Sequence, residues 1–314
     1  MTTSHVRAHH RAVAVFERHP LIPITFGVCL FSTGPVMVAG TDASGLVLSF
    51  WRLWCGAALL GVLTLVHIRR TGRRPDRLGW SKAAKAGLGF GLHQLFFMVA
   101  IKATSVVDVT LMQALQPVFV GILAATMFGE RPGPAFRMWS LLAIAGAGVV
   151  ALAGATGPEG DPLGLAMAVA NVAFFALYFV WSKQARGHID TVPLLFGVIV
   201  TAGTVVSVFA VLTGENIGGI SRHDLLFAAL IALVPGGLGH FVMVWPLNRV
   251  AANVPALVQL AMPFLAGALA WLLLGQGITL LHLVGGALTV GGVAGALLSP
   301  AGRRLSGGAG TPSR

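Results

Sequence analysis

Two glutamines, each followed four residues later by a proline, carry the most chemical meaning in this chain. Gln113 precedes Pro117 and Gln259 precedes Pro263, both inside long apolar runs. A proline has no N–H to give and frees the carbonyl four residues back. Here that carbonyl belongs to the glutamine itself. Each side-chain amide either satisfies the freed backbone or binds a solute in the gap, and the residues leave both open.

A second group is ionisable. Arg52 lies about seven residues into an apolar run, roughly 10 Å along a helix that rises 1.5 Å per residue. An arginine there costs about 2.5–3.5 kcal/mol to insert, so it should face a cavity or a partner. Its planar fork suits a carboxylate. The plainer readings are an arginine reaching to the headgroups or paired with Asp42 or Asp108. At 100° per residue, Ser105, Asp108, Met112 and Gln116 share one face of a single helix. That polar face predicts a cavity lining. Asp108 is also a candidate for proton coupling, with a surface pair to Lys102 as the alternative. His93 and His240 are two more candidate proton carriers, or packing residues. Asn171 and Tyr178, seven apart, share a face that could bind a zwitterion or an aromatic ring, while Trp181 reads as an interfacial anchor.

The elements that must position these residues are membrane helices. The chain has 314 residues, 56% apolar and 10% charged, against about 25% charged in a soluble domain. Apolar runs of about 20 residues, the length that crosses a bilayer as helix, predict ten spans. They fall near 22–41, 45–68, 82–101, 105–128, 136–154, 163–182, 192–213, 224–245, 250–273 and 279–298. The net charge of +11 does not indicate nucleic acid, because the basic residues lie between the apolar runs. With the N-terminus in the cytoplasm, every Lys and Arg except Arg52, Lys102 and Arg222 falls on the inner side. This is the bias expected of a chain with both termini inside. Cys29 and Cys55 lie in apolar runs without metal-type spacing and read as inert core thiols; no metal or cofactor motif is present. Residues 1–20 read as a polar cytoplasmic tail that is not cleaved, and 299–314, rich in Gly, Ser and Pro, as a disordered tail.

The glutamine–proline pair belongs to a longer repeat. Residues 104–132 shifted by 146 positions match 250–278 at Leu111/Leu257, Gln113/Gln259, Pro117/Pro263, Gly121/Gly267, Ala124/Ala270 and Gly129/Gly275. A shift of 147 pairs His93 with His240 and Gly89 with Gly236. Five spans per copy put the copies in opposite senses across the membrane. The expected fold is therefore an all-α integral membrane protein of ten transmembrane helices, built as two inverted five-helix repeats over 21–154 and 162–298. Pro117 and Pro263 read as kinks that shape a midplane cavity lined by spans 1–4 and 6–9. Spans 5 and 10, rich in Gly and Ala, read as scaffold. Gly87-xxx-Gly91 and Gly291-xxx-Gly295 read as close-packing seams, one of them a candidate homodimer contact.

The chain resembles the drug/metabolite transporter superfamily, in its ten-helix EamA type. The resemblance rests on FGERP closing the fourth span, MPFLAGALAWLLLGQ, Arg52 within SFWRLWCGAALL, AFFALYFVWSK in the sixth span and WPLNRVAANVPALVQLAMP before and within the ninth. It covers residues of about 21–298. Gln276 stands where the second half of that family usually carries glutamate, and Phe31 and Phe175 where tryptophan is common. The resemblance implies export of small metabolites, often amino acids or amphipathic drugs, with proton coupling in some members.

The expected function is a secondary transporter of the cell membrane that exports small organic metabolites by alternating access. Its partners would be a small-molecule substrate and the lipid bilayer. Passive facilitation or import fits the same symmetry. An intramembrane enzyme would need a clustered nucleophile and base; Ser44-Gly45, the one Ser-Gly near a span start, has no evident partner, so no enzyme is expected. A scaffold or sensor would need a longer loop. Arg52→Ala is expected to lower substrate affinity or turnover, and normal transport by a folded variant would remove Arg52 from the site.

Overall fold

The structure is a computed structural model and describes residues 21–128, 133–156, 161–240, 242 and 258–300. The sequence readings that fall on both tails, on FGERP after Phe128, on the loop 157–160 and on the stretch leading into the ninth span lie outside the described residues. Among the described residues every regular element is helical: α1 (Leu21–Ala39), α2 (Gly45–Thr71), α3 (Arg77–Ala103), α4 (Val106–Gln113), α5 (Gln116–Phe128), α6 (Pro134–Thr156), α7 (Pro162–Ala185), α8 (Thr191–Leu212), α9 (Arg222–Ile231), α10 (Met262–Leu274) and α11 (Leu280–Leu298). α9 continues as a π-helix over Ala232–Gly239, and a short 3-10 turn occupies Ile217–Gly219. Nine described stretches are long and apolar enough to cross a membrane, α4 and part of α5 counting as one, while the described part of the ninth span, α10, is a shorter apolar helix.

Local chemistry sets the ends. The hydroxyls of Ser44, Ser105 and Ser221 accept from backbone N–H groups in the first turns of α2, α4 and α9, and the Asp76 and Asp161 carboxylates do so for α3 and α7. Asp76 explains why α3 starts at Arg77, ahead of the apolar run. At the other end of α10, Gly275 takes φ 68°, the left-handed conformation that closes a helix, and its N–H bonds to Ala270.

The fourth and ninth spans are broken rather than kinked. α4 stops at Gln113, Ala114 and Leu115 form a turn, and α5 begins at Gln116. In the second copy Val258 and Gln259 are helical, Leu260 and Ala261 form the turn, and α10 begins at Met262. The shift of 146 that aligns the sequences aligns the two breaks residue for residue. Tight bonds of the 3-10 kind replace helical ones at both turns: Leu115 N–H to Met112 O (3.0 Å) and Ala261 N–H to Val258 O (3.1 Å).

The two copies pack so that counterparts meet. α2 lies along α8, α4 against α10, and α6 along α11, while α3 packs on both α7 and α8. Such contacts between counterparts are compatible with a twofold relation between the halves. Glycines let the closest pairs approach. A β-carbon on Gly146 would stand 2.5 Å from the Thr289 backbone nitrogen, and one on Gly292 would stand 2.5 Å from that of Ala143. Gly87 and Gly91 of α3 are pressed on Thr201, Ala202 and Val205 of α8, and Gly295 is pressed on Trp139 of α6. The small-residue seams thus serve contacts within the chain, with Gly291 facing open space. Without a hydrophobic drive between helices in lipid, close backbone contact of this kind is a main source of association. The surrounding leucines, such as Leu141 and Leu272, point outward. Cys29 is also exposed on α1, a lipid-facing position rather than a core one.

Gly292→Leu is expected to destabilise the fold by about 1–3 kcal/mol, because its side chain must force α6 from α11. Gly291→Ala should leave stability unchanged. Thermal unfolding of both variants in detergent checks the contrast.

Candidate solute-binding site

Both helix breaks open onto one cavity. Its walls include Gln113, Ala114, Gln116 and Pro117 from the first break and Gln259, Leu260, Met262 and Pro263 from the second. The remaining lining comes from α1 (Phe31, Gly34, Pro35, Val38), α2 (Arg52), α3 (Phe90, His93, Gln94, Phe97), α4 (Thr110), α7 (Phe175) and α9 with its π extension (Ile231, Pro235, His240). The space is about 890 Å³ including its open mouth. The seventh span, expected in the lining, is absent from it and packs behind α2 and α3.

The π segment has the same physical origin as the breaks. Pro235 cannot donate to the carbonyl of Ile231, and winding with i→i+5 bonds passes over it. The widened turn brings that carbonyl so close that a β-carbon on Gly236 would stand 2.9 Å from it. The same bend aims His240 inward. Its Nδ1 lies 3.2 Å from the Pro235 carbonyl, and its ring meets Phe31 edge-on at 4.8 Å. His93 is held likewise, with Nδ1 3.5 Å from the Asn171 carbonyl and its ring between Phe97 and Phe175. A carbonyl only accepts, so in both rings Nδ1 carries a proton.

Arg52 is 9% exposed, and its Nη1 donates to Gln94 Oε1 at 2.8 Å. It pairs with neither Asp42 nor Asp108, and among the described residues no carboxylate forms an ion pair with it. Elsewhere in the lining, Gln113 Oε1 is a buried acceptor without a partner among the described residues. Of the residues expected at the site, Arg52, Gln113, Gln116, Gln259, His93, His240, Pro117 and Pro263 all line this cavity. Asn171 and Tyr178 do not. Asn171 is fully buried behind His93, and Tyr178 packs behind the wall on Phe90 (4.8 Å) and Phe175 (5.4 Å). Trp181 holds Lys85 over its ring at 5.0 Å.

Met112 and Asp108 are also outside the cavity. The expected polar face assumed one continuous helix, and the turn at Ala114–Leu115 redirects the chain beyond it, so Gln116 reaches the cavity while Met112 stays in the core. Asp108 bonds instead to α11. Its Oδ1 lies 3.1 Å from His282 Nε2, and Oδ2 accepts from Ser105 (2.6 Å) and Thr104 (3.2 Å). The Thr279 N–H donates to His282 Nδ1 at 3.0 Å, so Nε2 is the protonated nitrogen and Asp108 the acceptor. His282 was not legible as a partner, because the tenth span reads as apolar scaffold and the pair spans 174 positions. Nearby, Val106 N–H donates to Gln276 Oε1 at 3.0 Å. Lys102, the expected partner of Asp108, donates to Thr41 through its carbonyl and hydroxyl. Asp224 accepts from the Asp42 (3.2 Å) and Ala43 (3.0 Å) N–H groups, and Ser44 donates to Glu215 at 2.8 Å. These bonds fasten the two copies together away from the cavity.

Asp108→Asn and His282→Gln should each destabilise the protein, with a coupling of about 1–3 kcal/mol in a double-mutant cycle. Additive effects on unfolding in detergent would show that the buried pair does not hold α4 to α11.

Comparisons with known proteins agree with this architecture. The EamA-like transporter family matches the chain twice, over residues 18–152 and 162–298. The chain is 26% identical over 207 residues to the uncharacterised transporter YdfC of Bacillus subtilis, covering 66% of this chain and 67% of that one. It is 32% identical over 236 residues to an uncharacterised Pseudomonas aeruginosa protein, covering 72% and 74%. An uncharacterised transporter of Archaeoglobus fulgidus is 26% identical over 271 residues, 86% of this chain and 93% of its own. A solved crystal structure matches with a TM-score of 0.61 over 88% of this chain and 97% of its own, a likeness of fold alone at 23% identity. With two matched copies, a helical bundle suited to a bilayer and a cavity between the copies, the chain is a multi-pass membrane transporter and belongs to the EamA-like transporter family.

Proposed function

We propose that the chain is a secondary transporter that exports small organic metabolites, amino acids or amphipathic drug-like compounds, by alternating access. The observation that carries this reading is the single cavity bounded by two equivalent helix breaks, one from each copy. In secondary transporters a midplane site between repeats, framed by discontinuous helices, is the arrangement that lets one repeat rock against the other. The rocking bodies would be the repeats over 21–154 and 162–298. The spread of Lys and Arg supports both termini in the cytoplasm of a cell membrane, which makes the repeats inverted. The sequence carries no nucleotide-binding loop, so the energy comes from a gradient. Coupling to protons would run through His93 and His240, which line the cavity, rather than through Asp108, which does not. Passive facilitation or import uses the same cavity, and the gradient sets the direction.

Counterflow in proteoliposomes with a mixed pool of labelled amino acids, organic anions and organic cations tests the reading. Saturable uptake of at least one component is expected. Absence of uptake across the whole pool, from liposomes shown to contain folded protein, would overturn it. Pro117→Ala and Pro263→Ala restore an N–H at each break and should slow counterflow about tenfold or more. A pair of variants that transport at the native rate would separate the breaks from the transport cycle.

A further inference from the structure

We propose that the cavity selects solutes with one anionic head, a carboxylate, on an apolar or aromatic body, and rejects organic cations. The inference rests on this cavity being the transport site and specifies what it takes. The starting point is the charge of Arg52. Arginine stays protonated in proteins and offers donors in a rigid fork. Here the residue is more than nine-tenths buried, and among the described residues its one hydrogen-bonded side-chain partner is the neutral Gln94. A buried cation without a counter-ion is costly, and the stable arrangement pairs it with an anion that has its remaining lone pairs satisfied.

Among the described residues no side chain supplies such an anion. The sequence has ten Asp and Glu. Glu17, Glu130 and Glu159 fall outside the described residues. None of the seven others lines the cavity. Asp76 and Asp161 cap helices, Asp108 holds His282, Asp190 meets His67, Glu215 takes the Ser44 hydroxyl, and Asp224 takes the Asp42 and Ala43 amides. The missing counter-charge is the solute's.

The immediate surroundings fit a carboxylate. Arg52 only donates, so the Gln94 oxygen must face it. The Gln94 NH2 is then left to donate beside the remaining guanidinium N–H groups. Nη2 lies toward Gly236, where an added β-carbon would stand 3.7 Å away, at van der Waals contact, and the absence of a side chain leaves that nitrogen uncovered by one. The body of the solute meets Phe31, Phe90, Phe97 and Phe175, with no carboxylate among the lining residues to receive an ammonium. An organic cation would lose its water and face Arg52 with no compensating charge.

The test uses three probes with one tail and different heads: 3-phenylpropionate, 3-phenylpropanamide and 3-phenylpropylamine. Binding to the purified full-length protein in nanodiscs is read by calorimetry. The carboxylate should bind at least tenfold tighter than the amide, and the amine at least tenfold weaker than the amide. In Arg52→Gln the carboxylate should fall to the affinity of the amide. Thermal unfolding and size-exclusion elution of Arg52→Gln like those of the parent protein show that the variant remains folded. Equal binding of all three heads, a preference for the amine, an unchanged carboxylate affinity in Arg52→Gln, or no binding of the carboxylate at 10 mM would each overturn the proposal. Every one of these results leaves the transport reading to be decided separately by counterflow with the unrestricted pool.

Discussion

A proline has no N–H, and three of the four prolines that line the cavity, Pro117, Pro235 and Pro263, turn that absence into architecture. Pro117 and Pro263 each end a helical ladder at the same register of two repeated segments, and the chain crosses the gap with a two-residue turn before it resumes as helix. Pro235 disturbs a third helix differently, by widening it into a π segment. In a bilayer, irregular backbone survives only where protein or a polar cavity can satisfy it. The breaks therefore cannot face lipid. They must face each other, and the space between them is the cavity. The rest of the bundle is compatible with this requirement because its other contacts are made by glycines and small residues, which let the outer helices close tightly while the centre stays open.

The buried polar residues divide into two sets with opposite chemistry. Away from the cavity, carboxylates are engaged: Asp108 by His282 and two hydroxyls, Asp224 by two backbone amides and His223. The Asp108–His282 bond and the bonds of Asp224 to the Asp42 and Ala43 amides join the two copies, so any motion of one copy against the other must strain or exchange them. Among the described residues that line the cavity the fixed charge is a single arginine, accompanied by glutamine amides and imidazoles. The first set closes its own electrostatics and holds the structure. The second leaves a positive charge and an orphan acceptor on Gln113 incomplete, which is the condition for binding something else.

Much of the site was legible before the structure. The repeat pointed to Gln113, Pro117, Gln259 and Pro263 because internal matches within apolar helices have few explanations, and the cost of an arginine in lipid pointed to Arg52. Periodicity failed where it assumed continuity. Met112 and Gln116 share a face only if one helix runs through Ala114 and Leu115, and it does not. Asn171 and Tyr178 do share a helix, but that face packs behind the aromatic wall rather than forming it.

Composition and spacing alone determined that this chain crosses a membrane many times, that it is built twice from one plan, and that the equivalent positions include two proline breaks. Those properties are local or self-referential: run lengths, hydropathy and identity between segments. Which partner each buried polar group finds was decided only by the tertiary structure. Arg52 meets Gln94 across 42 positions, and Asp108 meets His282 across 174. A buried charge makes a partner necessary, but helix packing chooses among the residues that could serve, and packing depends on the shapes of every neighbouring helix at once.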